Sequence, residues 1–416
     1  MMQAPVRSAV LLAALAVARP GAATEIVVAP GSAVPTLAAA LARAKPGDRI
    51  VVQAGRYAEP TITVSVPRLV IEGRGWPEFT GSGNHTVLIV AADSVTVRGL
   101  ALTGSGFAAT DDRAGLLVRD ARDCVIEQNR VYENAFGIYL SRSVGCLVRD
   151  NQVEATRGNE FTTGNAIHLW YSPATRVVRN HVRGHRDGIY FEFSASSAAE
   201  ENEVIAVTRY GLHFMYSDSC RYENNTFTGN GAGVTVMYSH HVVIRGNRFT
   251  DAVGPAAYGL LLKEIIDGEV SGNDFTGNTV GVSLDGAMRL DIRGNAFTRN
   301  GFAVRVSGSA GDNRFTGNRF AGNAFDVVTS AKFSTSTFDR NWWDNYRGYD
   351  LDRDGIGDVP FRPVRLFGLV IEQHPPALLL LRSPLVGILD TVERVMPVLT
   401  PNTLVDEHPL MHPPRE

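Results

Sequence analysis

The feature that most constrains this chain is a repeat of about 22 residues. Asn recurs from Asn129 to Asn318 with steps that are mostly 22 or 23 residues. A second landmark, a Gly or Ala followed by an apolar residue, keeps the same spacing from Gly115 to Ala303. Both series lengthen at the same two places. Fixed spacing of this length predicts a solenoid in which each coil stacks on its neighbours.

The residues after each Gly or Ala identify the type of solenoid. Apolar side chains occupy every second position, as in Ile189 and Phe191 or Leu212 and Phe214. A period of two indicates a β-strand with one buried face, and no unit shows the 3.6-residue period of a helix. The recurring Asn suits a tight turn, because Asn tolerates left-handed backbone. The sequence therefore predicts an all-β fold, a right-handed parallel β-helix.

The ends of the solenoid must be covered. Residues 36–44, rich in Ala and Leu, are predicted to form a helix that caps the first coil. Residues 1–23 read as a secretory signal peptide, with a short apolar run after Arg7 and small residues at the exit. The predicted organisation is then the β-helix with its cap at 24–340, an Asp-rich capping segment at 341–374 and a helical, partner-docking tail at 375–416.

Charge and hydropathy bound the function. The net charge of −3 argues against a nucleic-acid partner, which selects a basic surface. After residue 23 no apolar run reaches the 18 residues that a membrane span requires. We therefore expect a soluble periplasmic chain. Extra residues at 157–164 and 254–257 are expected to be corner loops, either functional or merely tolerated insertions.

The outward positions of the repeat form columns across successive coils. Successive coils lie ~4.8 Å apart, so residues at equivalent positions become direct neighbours. Met215 and Met237 are such a pair, with His213 beside Met215, and His168 lies two coils away behind Tyr190. Thioethers with imidazole suit cuprous copper. The sequence predicts a copper site at His168, His213, Met215 and Met237, and the alternative is an aromatic and Met ladder that stabilises the sheet or docks a partner.

Three further features carry open alternatives. Cys124, Cys146 and Cys220 fall in one column, and Cys124 and Cys146 are close enough for a disulfide, although small buried residues are the simpler interpretation. His181 and His185 are expected to be solvated near the Asn corner. Clustered carboxylates for catalysis on an acidic polysaccharide are not evident, although Arg186, Asp187 and Glu192 are the residues that could serve in such a role.

An aspartate-rich stretch resembles the start of a calcium loop. The twelfth position holds Phe361 rather than the usual Glu, so the carboxylates either form an incomplete calcium site or cap turns without binding an ion. The predicted calcium ligands are Asp350, Asp352, Asp354 and Asp358.

The tail contains an amphipathic helix that begins at Ser383 and ends before Pro397. It either folds back onto the β-helix or docks on a partner, and residues 400–416 are expected to be flexible. The residues predicted to form the docking face are Leu385, Ile388, Leu389, Val392, Val395 and Met396.

Three sequence stretches together resemble a known family. They are DGIYFEFS at 187–194, LHFMYS at 212–217 and NWWDNYRGYDLDRDGIGDVPFRP at 341–363. With the signal peptide and coils, the chain resembles the NosD family, the periplasmic β-helix proteins of nitrous-oxide reductase maturation, over almost its whole mature length.

This resemblance implies a role without catalysis. Such proteins work with an ABC-type membrane permease and its ATPase, receive copper from a copper chaperone lipoprotein and help to load apo nitrous-oxide reductase. It favours copper on the His/Met column, an inner-membrane association through the permease, and the permease as partner of the tail helix. Two alternatives stay open: a metal-free structural adaptor between transporter and client, and a β-helix polysaccharide lyase or epimerase.

Overall fold

The computed structural model describes residues 23–156, 158, 163–381, 383–396 and 402–414. The predicted signal peptide therefore lies almost wholly outside the described residues, as does most of the first predicted corner loop. Within the described ranges the chain forms a parallel β-helix, so the predicted fold class is confirmed.

Each full coil contributes one strand to each of three parallel sheets. Sheet 1 contains the outward His and Met columns. Its strands are Ile62–Val64, Leu88–Val90, Ala114–Arg119, Phe136–Ser141, Asn165–Trp170, Asp187–Glu192, Tyr210–Met215, Val280–Asp285, Phe302–Val306 and Phe325–Thr329.

Sheet 2 follows sheet 1 in every coil. Two strands, Gly233–Arg245 and Tyr258–Ser271, run through the corner and belong to both sheets. The other strands of sheet 2 are Glu25–Val28, Arg49–Gln53, Val70–Arg74, Thr96–Arg98, Val125–Glu127, Leu147–Arg149, Arg176–Val178, Ala198–Glu200, Arg221–Glu223, Met288–Arg293, Arg314–Thr316 and Thr337–Asp339.

Sheet 3 lies after the Asn corner. Its strands are Arg56–Tyr57, Glu78–Thr80, Ala101–Gly106, Arg130–Asn134, Gln152–Glu154, His181–Arg183, Glu203–Ile205, Thr226–Thr228, Arg248–Thr250, Asp274–Thr276, Ala296–Thr298, Arg319–Ala321 and Trp342–Trp343. The last of these strands lies just beyond the predicted β-helix boundary at residue 340.

The buried face of every sheet fills one continuous core. Alternating Val, Ile and Leu side chains pack inside the coils, and stacked Phe rings extend along sheet 3 from Phe227 to Phe320. Cys124, Cys146 and Cys220 are buried in this core and are unbridged. They are therefore small interior residues in this structure.

The recurring Asn residues form a hydrogen-bonded ladder inside the Asn corner, which lies between sheet 2 and sheet 3. The amide oxygen of Asn151 accepts both the backbone N–H and the side-chain N–H of Asn129, and the same pattern repeats from coil to coil. The residue before each Asn adopts left-handed backbone in most coils, as at Gln128 and Asp150. Every rung satisfies buried polar groups, which explains why the corner selects Asn.

Both ends of the β-helix are covered. Helix α1, Leu37–Leu41, is capped by the Thr36 hydroxyl and buries Leu37 and Ala40 against the first coils, as predicted. At the other end, helix α2, Leu366–Gln373, packs Phe367 and Ile371 against the last strand of sheet 1. A 3₁₀ helix, Pro375–Leu380, and helix α3, Pro384–Val395, follow α2.

The expected flexibility of the C-terminus is wrong for residues 402–414. The Asp406 carboxylate accepts the backbone and side-chain N–H of Asn341 and the indole N–H of Trp343, each at 3.0 Å. Asp406 thus occupies the place that the next Asn of the ladder would take. The segment returns to the last coil because that coil leaves buried donors that need an acceptor.

Candidate functional site

The outward rings of sheet 1 form one continuous stack. His168 lies between Tyr139 and Tyr190, with ring centroids 4.8 and 4.7 Å away. His213 stacks on the other face of Tyr190 at 4.3 Å. The strand register pairs these residues coil by coil, as the column argument predicts. Tyr190 therefore separates the two imidazoles, and the structure does not bring His168 and His213 to one point.

His168 is a buried imidazole on the outer face of sheet 1. The residue is 7% exposed, and neither ring nitrogen has a hydrogen-bond partner among the described residues. Its Nε2 lies 3.8 Å from a carboxylate oxygen of Glu192, which is too long for a hydrogen bond. Burial lowers the pKa of His168, so the ring is held neutral over a wider pH range.

His213 sits against a buried carboxylate. Its Nδ1 is buried and lies 3.6 Å from Oδ2 of Asp187, whose side chain is fully buried. The Arg209 guanidinium donates two hydrogen bonds to Asp187, and the backbone N–H of Tyr210 donates a third. Burial by itself raises the pKa of Asp187, but the contacts with His213 and Arg209 outweigh it and hold the pKa well below its ordinary value. Asp187 is therefore a carboxylate at neutral pH.

Met215 and Met237 are direct neighbours on adjacent strands. Both are half-buried on the outer face. The Tyr190 hydroxyl donates a hydrogen bond to the Met215 sulfur at 3.4 Å, so the thioether is held beside the ring stack. His213 lies two residues before Met215 on the same strand, about 6.6 Å along the backbone. The register thus makes Met215 and Met237 neighbours, with His213 two residues before Met215 on the same strand, and His168 lies outside this group.

An exposed aromatic ridge borders the methionine pair. Its rings stack at 4.7, 5.1 and 5.2 Å along the corner after sheet 1. All four residues have φ near +50°, which costs energy for a bulky side chain. Tertiary context holds them there, on the same coils that carry the His and Met columns. The residues are Tyr171, Phe193, Tyr216 and Tyr238.

The aspartate loop brings three of the four predicted calcium ligands together. One carboxylate oxygen from each of Asp350, Asp352 and Asp354 lies within 4.8 Å of the others. Asp358 instead accepts the backbone N–H of Leu351 at 2.7 Å. The position that Glu would fill holds Phe361, which packs against Trp343. Asp350 and Asp354 also accept backbone N–H groups within the loop, so turn capping accounts for part of this acidic cluster.

The predicted docking helix is divided between core and solvent. Val386 is buried with Phe367, and Leu389 packs against the same cluster. Glu393 accepts the backbone N–H of Leu366 and ties α3 to α2. Ile388 and Met396 are 60% and 51% exposed. Val392 is half-buried, and the side chains of Leu385 and Val395 lie outside the described residues.

The exposed apolar surface extends beyond α3. Leu379 of the preceding 3₁₀ helix is 89% exposed, and Leu378 and Leu380 are also exposed. Together with Ile388 and Met396 they form what we call the tail patch. Within the described residues no helix has the length and apolar character to span a membrane. The tail therefore both folds back onto the β-helix and leaves an apolar surface uncovered.

Sequence reasoning missed the roles of Asp187 and His185. The sequence suggests only a catalytic role for Asp187, whereas in the structure this buried carboxylate pairs with the half-buried Arg209. His185 was expected to be solvated, but it is fully buried, without a hydrogen-bond partner among the described residues. Its position five residues after Asn180 matches that of Asn230 after Asn225, which belongs to a second, shorter column of buried Asn. That spacing is the signal that could have revealed its burial.

Comparisons with known proteins give the family. A family model described as "Periplasmic copper-binding protein (NosD)" matches residues 154–348, and a right-handed β-helix model matches residues 78–180. A probable ABC transporter binding protein NosD from Pseudomonas aeruginosa is 31% identical over 91% of this chain and 94% of its own.

The chain belongs to the NosD family. A second NosD, from Stutzerimonas stutzeri, is 30% identical over 80% of each chain. Family membership supports a NosD-like role in the periplasm. Both relatives are named as probable ABC transporter binding proteins.

Solved structures with the same architecture show the fold alone. A GH87 α-1,3-glucanase from Streptomyces thermodiastaticus superposes with a TM-score of 0.62 at 13% identity, covering 78% of this chain and 71% of its own. The Dettilon tailspike protein gives 0.55 at 16% identity, covering 71% and 64%. The glucanase is an enzyme, whereas the NosD relatives are named as binding proteins.

Proposed function

We propose that this protein carries cuprous copper on the outer face of sheet 1 and helps to deliver it to apo nitrous-oxide reductase. The observation that carries the proposal is the direct pairing of Met215 with Met237 beside His213 on a rigid sheet. Two thioethers and an imidazole form a soft donor set, which suits Cu(I) better than zinc or magnesium. The family description as copper-binding supports the same metal.

The donor set fits a cargo site better than a permanent one. The thioethers are half-buried and border an exposed aromatic ridge, so a second protein can reach them. Tyr residues are common at the centres of protein interfaces. In this proposal a copper chaperone lipoprotein supplies the ion, and His168, which lies behind Tyr190, is not part of the ligand set.

The test is anaerobic competition for Cu(I) between a chromogenic chelator and the mature chain. Wild type is compared with Met215→Leu/Met237→Leu, which removes both sulfurs and keeps the apolar volume. Met288→Leu is the matched control, since Met288 is half-buried on sheet 2 away from the column. We expect one tightly bound ion in wild type and in the control, and at least about a tenfold loss of affinity in the double variant, equal to about 1.4 kcal/mol.

Other outcomes identify the alternatives. Equal affinity in wild type and the double variant places copper elsewhere and refutes the assigned ligands. Absence of Cu(I) binding in wild type favours the metal-free adaptor. Activity on an acidic polysaccharide without copper binding favours the lyase or epimerase.

We also propose that the tail patch docks on the membrane permease of the ABC transporter, which acts with its ATPase and holds the protein at the inner membrane. The five residues of the tail patch are large, apolar and exposed, and exposed apolar patches commonly mark interaction surfaces. The relatives' names include transporter binding. Co-purification with the permease should be lost in Leu379→Glu/Ile388→Glu. Val253→Glu, at a 69% exposed position just before the 254–257 loop, should bind normally. Equal recovery of both variants contradicts this assignment.

A further inference from the structure

Asp187 is not a proposed copper ligand, but its carboxylate lies next to the ring of His213, which is one. Its side chain is fully buried, and Asp187 lies one coil before His213. Arg209 and the Tyr210 backbone fix the carboxylate from one side. Two further groups lie near its Oδ2, Nδ1 of His213 at 3.6 Å and Nε of Arg186 at 3.8 Å, and both distances are longer than a hydrogen bond. A carboxylate in a fixed position beside one nitrogen of an imidazole selects the tautomer that is protonated on that nitrogen.

The other neighbours of His213 hold its ring in place and leave its second ring nitrogen, Nε2, accessible to an ion. Tyr190 stacks on the ring at 4.3 Å, and Tyr210 contacts it at 4.9 Å, so the ring cannot turn freely. Nδ1 is buried and has no hydrogen-bond partner in the described part of the chain. The side chain keeps 9% exposure, and Nε2 is the ring nitrogen that is not fully enclosed.

We propose that Asp187 is a positioning residue that holds His213 in the Nδ1-protonated tautomer and directs the Nε2 lone pair to the copper cargo. This inference rests on the proposed copper function. It assigns Asp187 no contact with the ion. Carboxylates that orient metal-binding imidazoles in this way typically change metal affinity by 10- to 100-fold when they are removed.

The first arm of the test measures the tautomer in the metal-free mature protein. Nitrogen-15 NMR of labelled histidine distinguishes Nδ1–H from Nε2–H, with resonances assigned by comparison with His213→Gln. We expect Nδ1–H for His213 in wild type. A His213 ring protonated on Nε2 overturns the proposal, and this result does not depend on any variant that fails to fold.

The second arm uses Asp187→Asn, which keeps the side-chain shape but removes the charge. An amide can donate to Nδ1 and so favour the wrong tautomer. We expect one Cu(I) ion to remain bound with affinity lowered about 10- to 100-fold, and the His213 signal to shift toward the Nε2–H form. An unchanged tautomer and an affinity within twofold of wild type overturn the proposal.

The two arms separate this inference from the copper proposal. If wild type binds no Cu(I) but His213 is the Nδ1–H tautomer and changes in Asp187→Asn, the copper function fails while the positioning contact stands. If wild type binds Cu(I) through the methionines but His213 carries its proton on Nε2, the copper function stands and the role of Asp187 fails. A His181→Ala variant, at a half-exposed histidine of sheet 3, should change neither readout.

Discussion

Asp406 closes the Asn ladder, and its removal should destabilise the last coil. Its carboxylate accepts three hydrogen bonds from buried donors, two from Asn341 and one from the indole of Trp343. Asp406→Ala leaves the backbone N–H of Asn341 and the indole N–H of Trp343 without an acceptor, and it removes one bond of the Asn341 amide, which still donates to the Phe315 carbonyl. A buried unsatisfied donor costs about 1–3 kcal/mol, and because water can enter at the end of a solenoid we expect the lower part of that range. The expected loss in the free energy of unfolding is about 3–5 kcal/mol.

The assay is urea unfolding of the mature chain, followed by tryptophan fluorescence and far-UV circular dichroism. Trp343 is 1% exposed and stacks on Phe320 at 4.1 Å, so its emission reports directly on the last coil. The Asp406→Ala transition should move to lower urea, and the fluorescence change should precede the loss of β-structure, because neighbouring coils of a solenoid can unfold separately.

Asp406→Asn is the matched control. Asn keeps an oxygen that can accept from Asn341 and Trp343, as the ladder residues before it do, although it loses the bond from the His408 backbone. The expected loss is below about 1.5 kcal/mol, the value of one hydrogen bond. An Asp406→Ala protein that unfolds within about 0.5 kcal/mol of wild type, with unchanged Trp343 emission, refutes the capping role.

Three further predictions follow from buried or clustered groups. Burial lowers the pKa of His185 to about 4, whereas the pKa of an unfolded His is about 6.5. Between these pH values the unfolded state binds more protons than the folded state. The free energy of unfolding should therefore fall by roughly 3 kcal/mol as the pH drops through this window. Urea midpoints measured from pH 7 to 4 should show less of this loss in His185→Gln, and parallel curves for both proteins contradict the assignment. The three buried thiols should resist a thiol reagent until the chain unfolds and should then all react, whereas one reactive thiol in the unfolded, unreduced protein indicates a Cys124–Cys146 disulfide. If the aspartate loop binds calcium, millimolar Ca²⁺ should raise the melting temperature of wild type but not of Asp350→Asn, and equal shifts contradict binding at the loop.

The sequence predicts the coils and columns well because the side-chain period of a β-strand is two. Once the Gly/Ala and Asn landmarks fix the register, a residue such as Met215 has only one neighbour on the next coil. The pairing of Met215 with Met237 and the stacking of His168, Tyr190 and His213 follow from that register. The capping helix at Leu37–Leu41 is similarly predictable, since an exposed coil end requires an apolar cover.

Contacts that depend on the path of the chain between coils are less predictable. Asp406 lies 65 residues from Asn341, and no local period indicates that the tail returns to complete the ladder. The placement of Asp187 beside His213 depends on the corner geometry and on Arg209, which lies outside the strand pattern.

X-ray absorption at the copper edge tests the central claim most directly. The mature chain is loaded with one equivalent of Cu(I) under anaerobic conditions and compared with Met215→Leu/Met237→Leu. The proposed site predicts two sulfur ligands and one imidazole nitrogen in wild type, with loss of the sulfur scattering in the double variant. Coordination by nitrogen and oxygen alone, or a sulfur signal that persists in the double variant, contradicts a copper site at His213, Met215 and Met237.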